Sequence, residues 1–571
     1  METQEVQTMG ESTTEFWVSA LHSQLSRVES SSQGSLAALR NEKAAIETVL
    51  SFVNSRINAS AAPIMRLPPE LLVSIFSYLA NQVLFESVPS MDHLPQTAPW
   101  VRFTWVCRRW RHIMLANPML WCDLVLPLPP QWAREMLMRS QHQPLSILYS
   151  HEDKIPPGSL AWGLPFDALE QVRSIHVHDL PSIIPGNLSH LLSTQAPILE
   201  VANFSYMRSH LPREALFANS APRLRNLTIY HANALPLSSF LPSIVSLDIR
   251  YIKNFPHSLP DFIAALQRLK RIEMLALVDC LDQFSSAPDP PAASQIIRLT
   301  SLNSLEISGM VSDCVGFLRH VQTPDTTCLH IAASTEGGAD VFPVLYPLLV
   351  PASGYASNPF RAICFSSGGP GYLTFAARHA DADQARWDRV FELYWDAAEA
   401  ELEAVFHLVS ALCAEVGVRH LLSLTLDLEL GANLKVPPEG WLEMLGAATE
   451  LQTLRASADV GDSLCQALSA CIKEDGTYSR DEEGIPIWPK LQTLKLDQME
   501  LSSYYDDAME NCWAESIEMR VDEVLLRELK HRRQRGAALN TLYLLKMSFD
   551  VDPEWLQNVE EVVDRVVVQD E

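Results

Sequence analysis

A chain of 571 residues exceeds what one hydrophobic core serves, so two or more structural units are expected. Hydrophobic residues make up 47% of the sequence and charged residues 20%, the balance of a folded chain rather than a disordered one. A formal charge of -26, with a pI of about 5.1, repels phosphate backbones and anionic headgroups and argues against nucleic acid and membranes as partners.

The first residues, METQEVQTMGESTTEF, carry neither the basic nor the apolar region of a secretory signal. The longest apolar run, Val341 to Ala352, is cut by Pro343, Pro347 and Pro351, so no membrane span is expected. The ten cysteines follow no framework spacing, which points to reduced thiols in the cytoplasm or nucleus.

Residues 1–60 read as helical. Leu36, Leu39, Ile46, Leu50, Val53 and Ile57 recur at alternating steps of three and four, with Lys43 at the remaining seam position. That is a coiled-coil stripe over about three heptads. Leu21, Leu25 and Val28 form a stripe in a different frame, and the run Ser30 to Gly34 predicts a break between them. Two partners for the seam are open: the next domain of the same chain, or a second copy.

Residues 61–125 carry the strongest signal. Pro63 stops the first helix, and Pro68-Pro69 followed by Glu70 opens another. Leu71, Leu72, Ile75, Phe76 and Leu79 then make a broad apolar stripe. After a proline-containing stretch, VRFTWVCRRWRHIML predicts a second helix with Phe103, Val106, Trp110 and Ile113 on one face. Asn117-Pro118 is a cap and first-turn pair for a short third turn ending at Trp121.

The sequence LPPELLVSIFSYL followed by WVCRRWRHIMLANPMLWCDL resembles the F-box motif: LP-x-E, an apolar helix, V-C-[KR]-x-W, then P-x-L-W. The layout is similar to fungal F-box-like proteins, in which a predicted coiled coil precedes a P-I-x-R-L-P-x-E start, here Pro63 to Glu70. The stretch from Ala80 to Arg102 is longer than in a compact F-box. The resemblance implies a non-catalytic adaptor. It would dock on a Skp-type protein, through it reach a cullin, and hold an unknown protein substrate elsewhere. The implied contact residues are Leu67, Pro68, Leu71, Ile75 and Leu79, then Val106, Cys107 and Trp110, and finally Trp121. Phe76 and Ile113 are expected to fill the bundle's own core.

From about residue 126 a different pattern takes over. Trp132 to Ser140 predicts a helix and Pro144 to Tyr149 a strand. An apolar-x-x-apolar-x-apolar core then recurs from Val172, Leu199, Leu224, Ile244, Ile272 and Leu302, and again from Leu421, Leu451, Leu491 and Leu539. The consensus is leucine-rich-repeat-like, although the Asn or Cys that ordinarily follows is missing. Leu199, Leu224 and Leu302 are expected inside, with Asn203, Thr228 and Glu306 on the solvent side of a sheet. Between Ile331 and Leu421 the period is lost. RAICF and YLTFAA read there as two strands joined by SSGGPG, with a long helix from about Asp383 to Val416.

The expected fold class is therefore α+β overall. It comprises an N-terminal helical segment, a small three-helix bundle, and an α/β leucine-rich-repeat-like solenoid over 126–571 with an irregular insertion near 331–420. No catalytic, metal or cofactor constellation stands out. Ser366 to Gly371 lacks the Lys-Ser or Lys-Thr of a phosphate loop and reads as a hairpin turn. His176 and His178 share a strand face without further ligands at metal spacing, and Cys465 and Cys471 do not align on a helix. The basic run Lys530 to Arg535 reads as the solvated end of an amphipathic helix stopped by Gly536. Two other readings stay open: a repeat scaffold whose bundle is only structural, and an enzyme with a site in the irregular region.

Overall fold

The computed structural model describes residues 15–27, 36–85, 99–126, 130–150, 170–180, 192–207, 216–232, 237–252, 258–284, 295–324, 326–335, 359–367, 371–379, 387–395, 402–428, 436, 438–468, 470–472, 478–479, 485–499, 520–547 and 551–569. The chain mixes helices with one large sheet. It divides into two compact units, residues 1–146 with 161–164, and 147–160 with 165–571.

In the first unit, helices α1 (15–27) and α2 (Leu36–Ala61) are linked by Gln24 Nε2 donating to Glu42 Oε1 at 3.0 Å. The heptad residues Leu36, Leu39, Ile46, Leu50, Val53 and Ile57 are all exposed along α2. The break expected at Ser30 to Gly34 lies outside the described residues. A 3-10 turn, Pro63–Arg66, leads into α3 (Pro69–Phe85), whose inward line is Leu72, Phe76 and Ala80. The expected loop from Ala80 is thus helix as far as Phe85, and residues 86–98 are outside the described set.

The second helix starts later than its apolar pattern suggests. Pro99–Trp105 is a 3-10 turn, and α4 spans Arg108–Ala116. Cys107 stands between them in extended backbone (φ -157°, ψ 164°) and caps α4 by accepting a hydrogen bond from the Trp110 N–H. Phe76 is fully buried, with Phe103 stacked on it at 6.2 Å and Trp110 edge-on at 5.0 Å between ring centroids. Such aromatic pairs add about 1 kcal/mol each beyond the area they bury. The turn Pro118–Trp121, strand β1 (Asp123–Leu126) and α5 (Pro130–Ser140) follow, and β2 (Leu145–Ser150) lies across the boundary.

In the second unit, β3 (Val172–Leu180), β4 (Val201–Met207), β5 (Asn226–Tyr230), β6 (Ser246–Arg250), β7 (Met274–Val278), β8 (Ser304–Met310) and β9 (Cys328–Thr335) run parallel in chain order. Ile175, Ala202, Leu227, Leu247, Leu275, Leu305 and Leu329 lie side by side across these strands. Apart from Leu329, each is the second apolar position of the recurring consensus. β9 escaped that consensus because Thr326 stands where its first apolar residue belongs. Leu199, Leu224 and Leu302 are fully buried, while Asn203, Thr228 and Glu306 occupy the partly exposed face, as alternation requires.

The region 331–421 does not interrupt the sheet but reverses its order. β10 (Ala362–Ser366) and β11 (Tyr372–Arg378) are the expected antiparallel hairpin. The predicted long helix is instead β12 (Arg389–Trp395) and then a helix only from Leu402–Val416. Val390, Phe391, Tyr394 and Trp395 favour extended backbone, and the alternate residues Phe391 and Leu393 are buried. β12 pairs parallel with β9, β11 runs antiparallel to both its neighbours, and β10 pairs parallel with β13 (Ser423–Asp427). The parallel series then resumes through β14 (Thr453–Ser457), β15 (Thr493–Asp497), β16 (Thr541–Leu545) and β17 (Arg565–Gln569), with Leu424, Leu454, Leu494, Leu542 and Val566 in register.

A backbone device recurs just past the strands. His231, Tyr251, Asp279, Gln498 and Lys546 all sit in the left-handed region at φ 48–56°. Each donates its N–H to the last-row carbonyl of the next strand, at Arg250, Val278, Ser308, Leu545 and Gln569 respectively. A non-glycine residue in this region is costly, and the repeated hydrogen bond offsets that cost.

The basic run belongs to the helix Val521–Gln534, which ends before Gly536 at φ +76°, but its centre is not solvated. Arg532 is 1% exposed. Its guanidinium donates to the carbonyls of Leu468 (3.0 Å), Ile487 (2.9 Å) and Trp488, gathering a helix end and the approach to β15. Burial pushes its pKa down to about 10.

Candidate docking surface

The residues singled out in 61–125 separate into an outer and an inner set. On α3, Leu71 is 51% exposed and Tyr78, seven residues on, is 63% exposed. Ile75 and Leu79 are half-buried beside them. Residues four and seven apart share a helix face, so Leu71, Ile75 and Tyr78 form one outward stripe. Pro68 is exposed and Leu67 half-buried at the helix entry.

The entry is tied to the start of α4 by Arg109. Its Nη2 donates to the Leu67 carbonyl at 2.6 Å, and its Nη1 donates to the Met65 carbonyl. The Cys107 sulfur lies 3.9 Å from the Met65 sulfur. This brings Val106, 59% exposed, and Trp105, 60% exposed, to the same end of the unit as Leu67 and Pro68. The result is a set of apolar side chains that the first unit leaves uncovered although it has a core to bury them in.

Trp110 is half-buried against Phe76, and its indole N–H has no hydrogen-bond partner among the described residues. Trp121 is a correction. It is 2% exposed, its Nε1 donates to the Met114 carbonyl at 3.0 Å, and the Arg139 guanidinium covers its ring at 4.9 Å. It is a core residue, which its place at the end of an apolar turn did not reveal. Phe76 is fully buried and Ile113 half-buried. Sequence reasoning missed Tyr78, Trp105 and Met119 (56% exposed), since an aromatic or Met within an apolar stretch reads as core until its face is known. It also missed Arg109, whose role depends on a backbone carbonyl more than forty residues away.

Elsewhere the chemistry-bearing residues do not converge. His176 is half-buried on β3 and burial lowers its pKa, while His178 is exposed. Among the described residues no group of three His, Cys, Asp or Glu side chains is placed to hold a metal ion. Cys465 and Cys471 are both buried. Burial pushes the Cys122 thiol up to about 11 and that of Cys314 to about 12, so both stay protonated at neutral pH. The inward side of β9 to β12 is filled by Ile331, Phe365, Phe375, Phe391 and Leu393. An open cavity of about 500 Å³ lies instead along the helix Val521–Gln534, walled by Arg520, Asp522, Arg527, Lys530 and Trp555. No helix among the described residues is long and apolar enough to cross a membrane.

No family model matches this chain, and no curated protein matches it at a significant level.

Proposed function

We propose that the chain is an F-box-type adaptor, similar to fungal F-box-like proteins, of a Skp-cullin-RING ubiquitin ligase. Residues 61–125 would dock on a Skp-type subunit, and the second unit would hold a protein substrate. The observation that carries this reading is the overlap of two independent features. The stretch bearing LP-x-E, V-C-R-R-W and P-x-L-W is also the stretch whose apolar side chains Leu71, Tyr78, Trp105 and Val106 face outward. A helix interface with a few dominant anchors needs such side chains.

In this reading the second unit is an irregular leucine-rich-repeat-like solenoid. The in-register second apolar positions and the recurring left-handed residue after the strand support it, since each unit then repeats one strand and one corner. The adaptor makes and breaks no bonds. It raises the effective concentration of substrate lysines near a charged conjugating enzyme, in the cytoplasm or nucleus where such ligases work.

The test is co-purification of the full chain with a Skp-type subunit. Losing one central anchor costs on the order of 2 kcal/mol, roughly thirtyfold in affinity. A Leu67→Ala/Pro68→Ala double variant and a separate Val106→Asp variant are each expected to reach that loss with an unchanged circular dichroism spectrum. Folded wild-type chain that binds other proteins but no Skp-type subunit would refute the ligase reading and leave a repeat scaffold.

A further inference from the structure

On the outward face of the sheet, where its order reverses, five polar side chains form one hydrogen-bonded line. The Glu392 carboxylate on β12 is held at both oxygens. His330 Nε2 on β9 lies 3.2 Å from Oε1, and the Tyr394 hydroxyl donates to Oε2 at 2.9 Å. Tyr394 in turn packs on Tyr372 of β11, with ring centroids 4.7 Å apart, and the Thr374 hydroxyl donates to the Tyr372 oxygen at 2.6 Å. The carboxylate is therefore fixed in direction before anything binds. Among the described residues these are two partners, and a carboxylate accepts about four hydrogen bonds.

Access to this group is partial, the Glu392 side chain being 23% exposed. Tyr394 is 43% exposed. In the register Glu392 is flanked by the small residues Ala332 and Thr374, and the larger His330 and Tyr394 meet it only at its two oxygens. The chain as a whole is strongly acidic, with a formal charge of -26. An oriented carboxylate beside a partly exposed aromatic pair is the arrangement that receives a cation, through a charge-assisted hydrogen bond and the ring faces together. Nucleic acid and anionic lipid are repelled by the same field.

We infer that this patch is a docking site for an arginine- or lysine-rich segment of a partner protein, with Glu392 and the Tyr372–Tyr394 pair anchoring one basic side chain. The inference does not depend on the adaptor reading, because it concerns the second unit and its test involves no Skp-type subunit. If the adaptor reading also holds, the patch selects substrates by an exposed basic segment.

The test titrates the full chain with a short fluorescein-labelled peptide of alternating arginine and serine, read by fluorescence anisotropy at low and at physiological salt. Glu392→Gln and Tyr394→Leu are expected to weaken binding by about tenfold each. Glu560→Gln, which removes an exposed carboxylate from a distant helix, is expected to leave it unchanged. Circular dichroism melts establish that each variant is folded, and Tyr394→Phe, which keeps the ring, should retain more affinity than Tyr394→Leu. Absence of binding by the unaltered chain would overturn the proposal. So would an equal loss in Glu560→Gln, the mark of diffuse charge attraction, or affinity unaltered in Glu392→Gln.

Discussion

Replacing Arg532 with methionine probes how the last third of the second unit is held. The variant keeps an unbranched apolar stem, shorter than arginine's, and removes the fork. Three buried carbonyls, at Leu468, Ile487 and Trp488, lose their donor together. A hydrogen bond from a charged donor contributes about 1.5–3 kcal/mol, so the gross loss is roughly 5–9 kcal/mol. Against this stands the cost of burying the guanidinium, reflected in a pKa lowered to about 10 and amounting to about 3 kcal/mol. The net expectation is a destabilisation of about 2–6 kcal/mol. Arg532→Lys keeps the charge but lacks the planar fork, and should lose about half as much. Urea titration followed by circular dichroism measures the total. Hydrogen exchange read by mass spectrometry localises it, with protection lost first in peptides covering 464–472 and 485–491. A change under about 1 kcal/mol with protection intact would mean that the three carbonyls find other donors, and the reasoning would fail.

Packing and burial lead to three more expected outcomes. A Cβ at Gly316 would meet the Phe284 carbonyl oxygen at 2.2 Å, and backbone cannot step aside, so Gly316→Ala should cost about 2–3 kcal/mol in the same titration. At Gly461 the nearest atom is the Met499 sulfur at 2.6 Å, on a flexible side chain, and Gly461→Ala should cost about 1 kcal/mol or less. His176 has a folded-state pKa lowered below 6.5 by burial, so the unfolded chain takes up the proton first as pH falls. Its contribution is therefore present above 6.5 and lost as pH drops through the folded value. His176→Gln should flatten the decline in stability below that point, and an unchanged pH profile would contradict this.

Much of the second unit was legible because each strand states its own burial. Leu224, Leu227 and Ile229 sit at the spacing that alternation demands, and all three are buried. What was not legible was pairing between distant segments. β12 reads locally as part of an acidic, alanine-containing helix, and only its partnership with β9 and β11 makes it a strand. The same limit applied to Arg532, where a cation in a basic run reads as solvated because its three acceptors lie far off in sequence. In the first unit the F-box-like pattern gave the helices and the buried Phe76. It did not separate Leu71, outside, from Leu72, inside, because adjacent residues on a helix differ by a rotation that a broad apolar stripe does not specify.

The crossed order of the central strands bears on how the chain can be made. A polypeptide emerging from its N-terminus completes β9 at Thr335, yet the strand that closes that edge, β12, ends only at Trp395. β10 likewise waits for β13, which ends at Asp427. On either side of this region each new strand seals the one before it. Here an open edge persists over dozens of residues of synthesis, and open edges recruit other chains. The sheet therefore cannot grow through its middle one strand at a time, and the segment from β9 to β13 must close as a block.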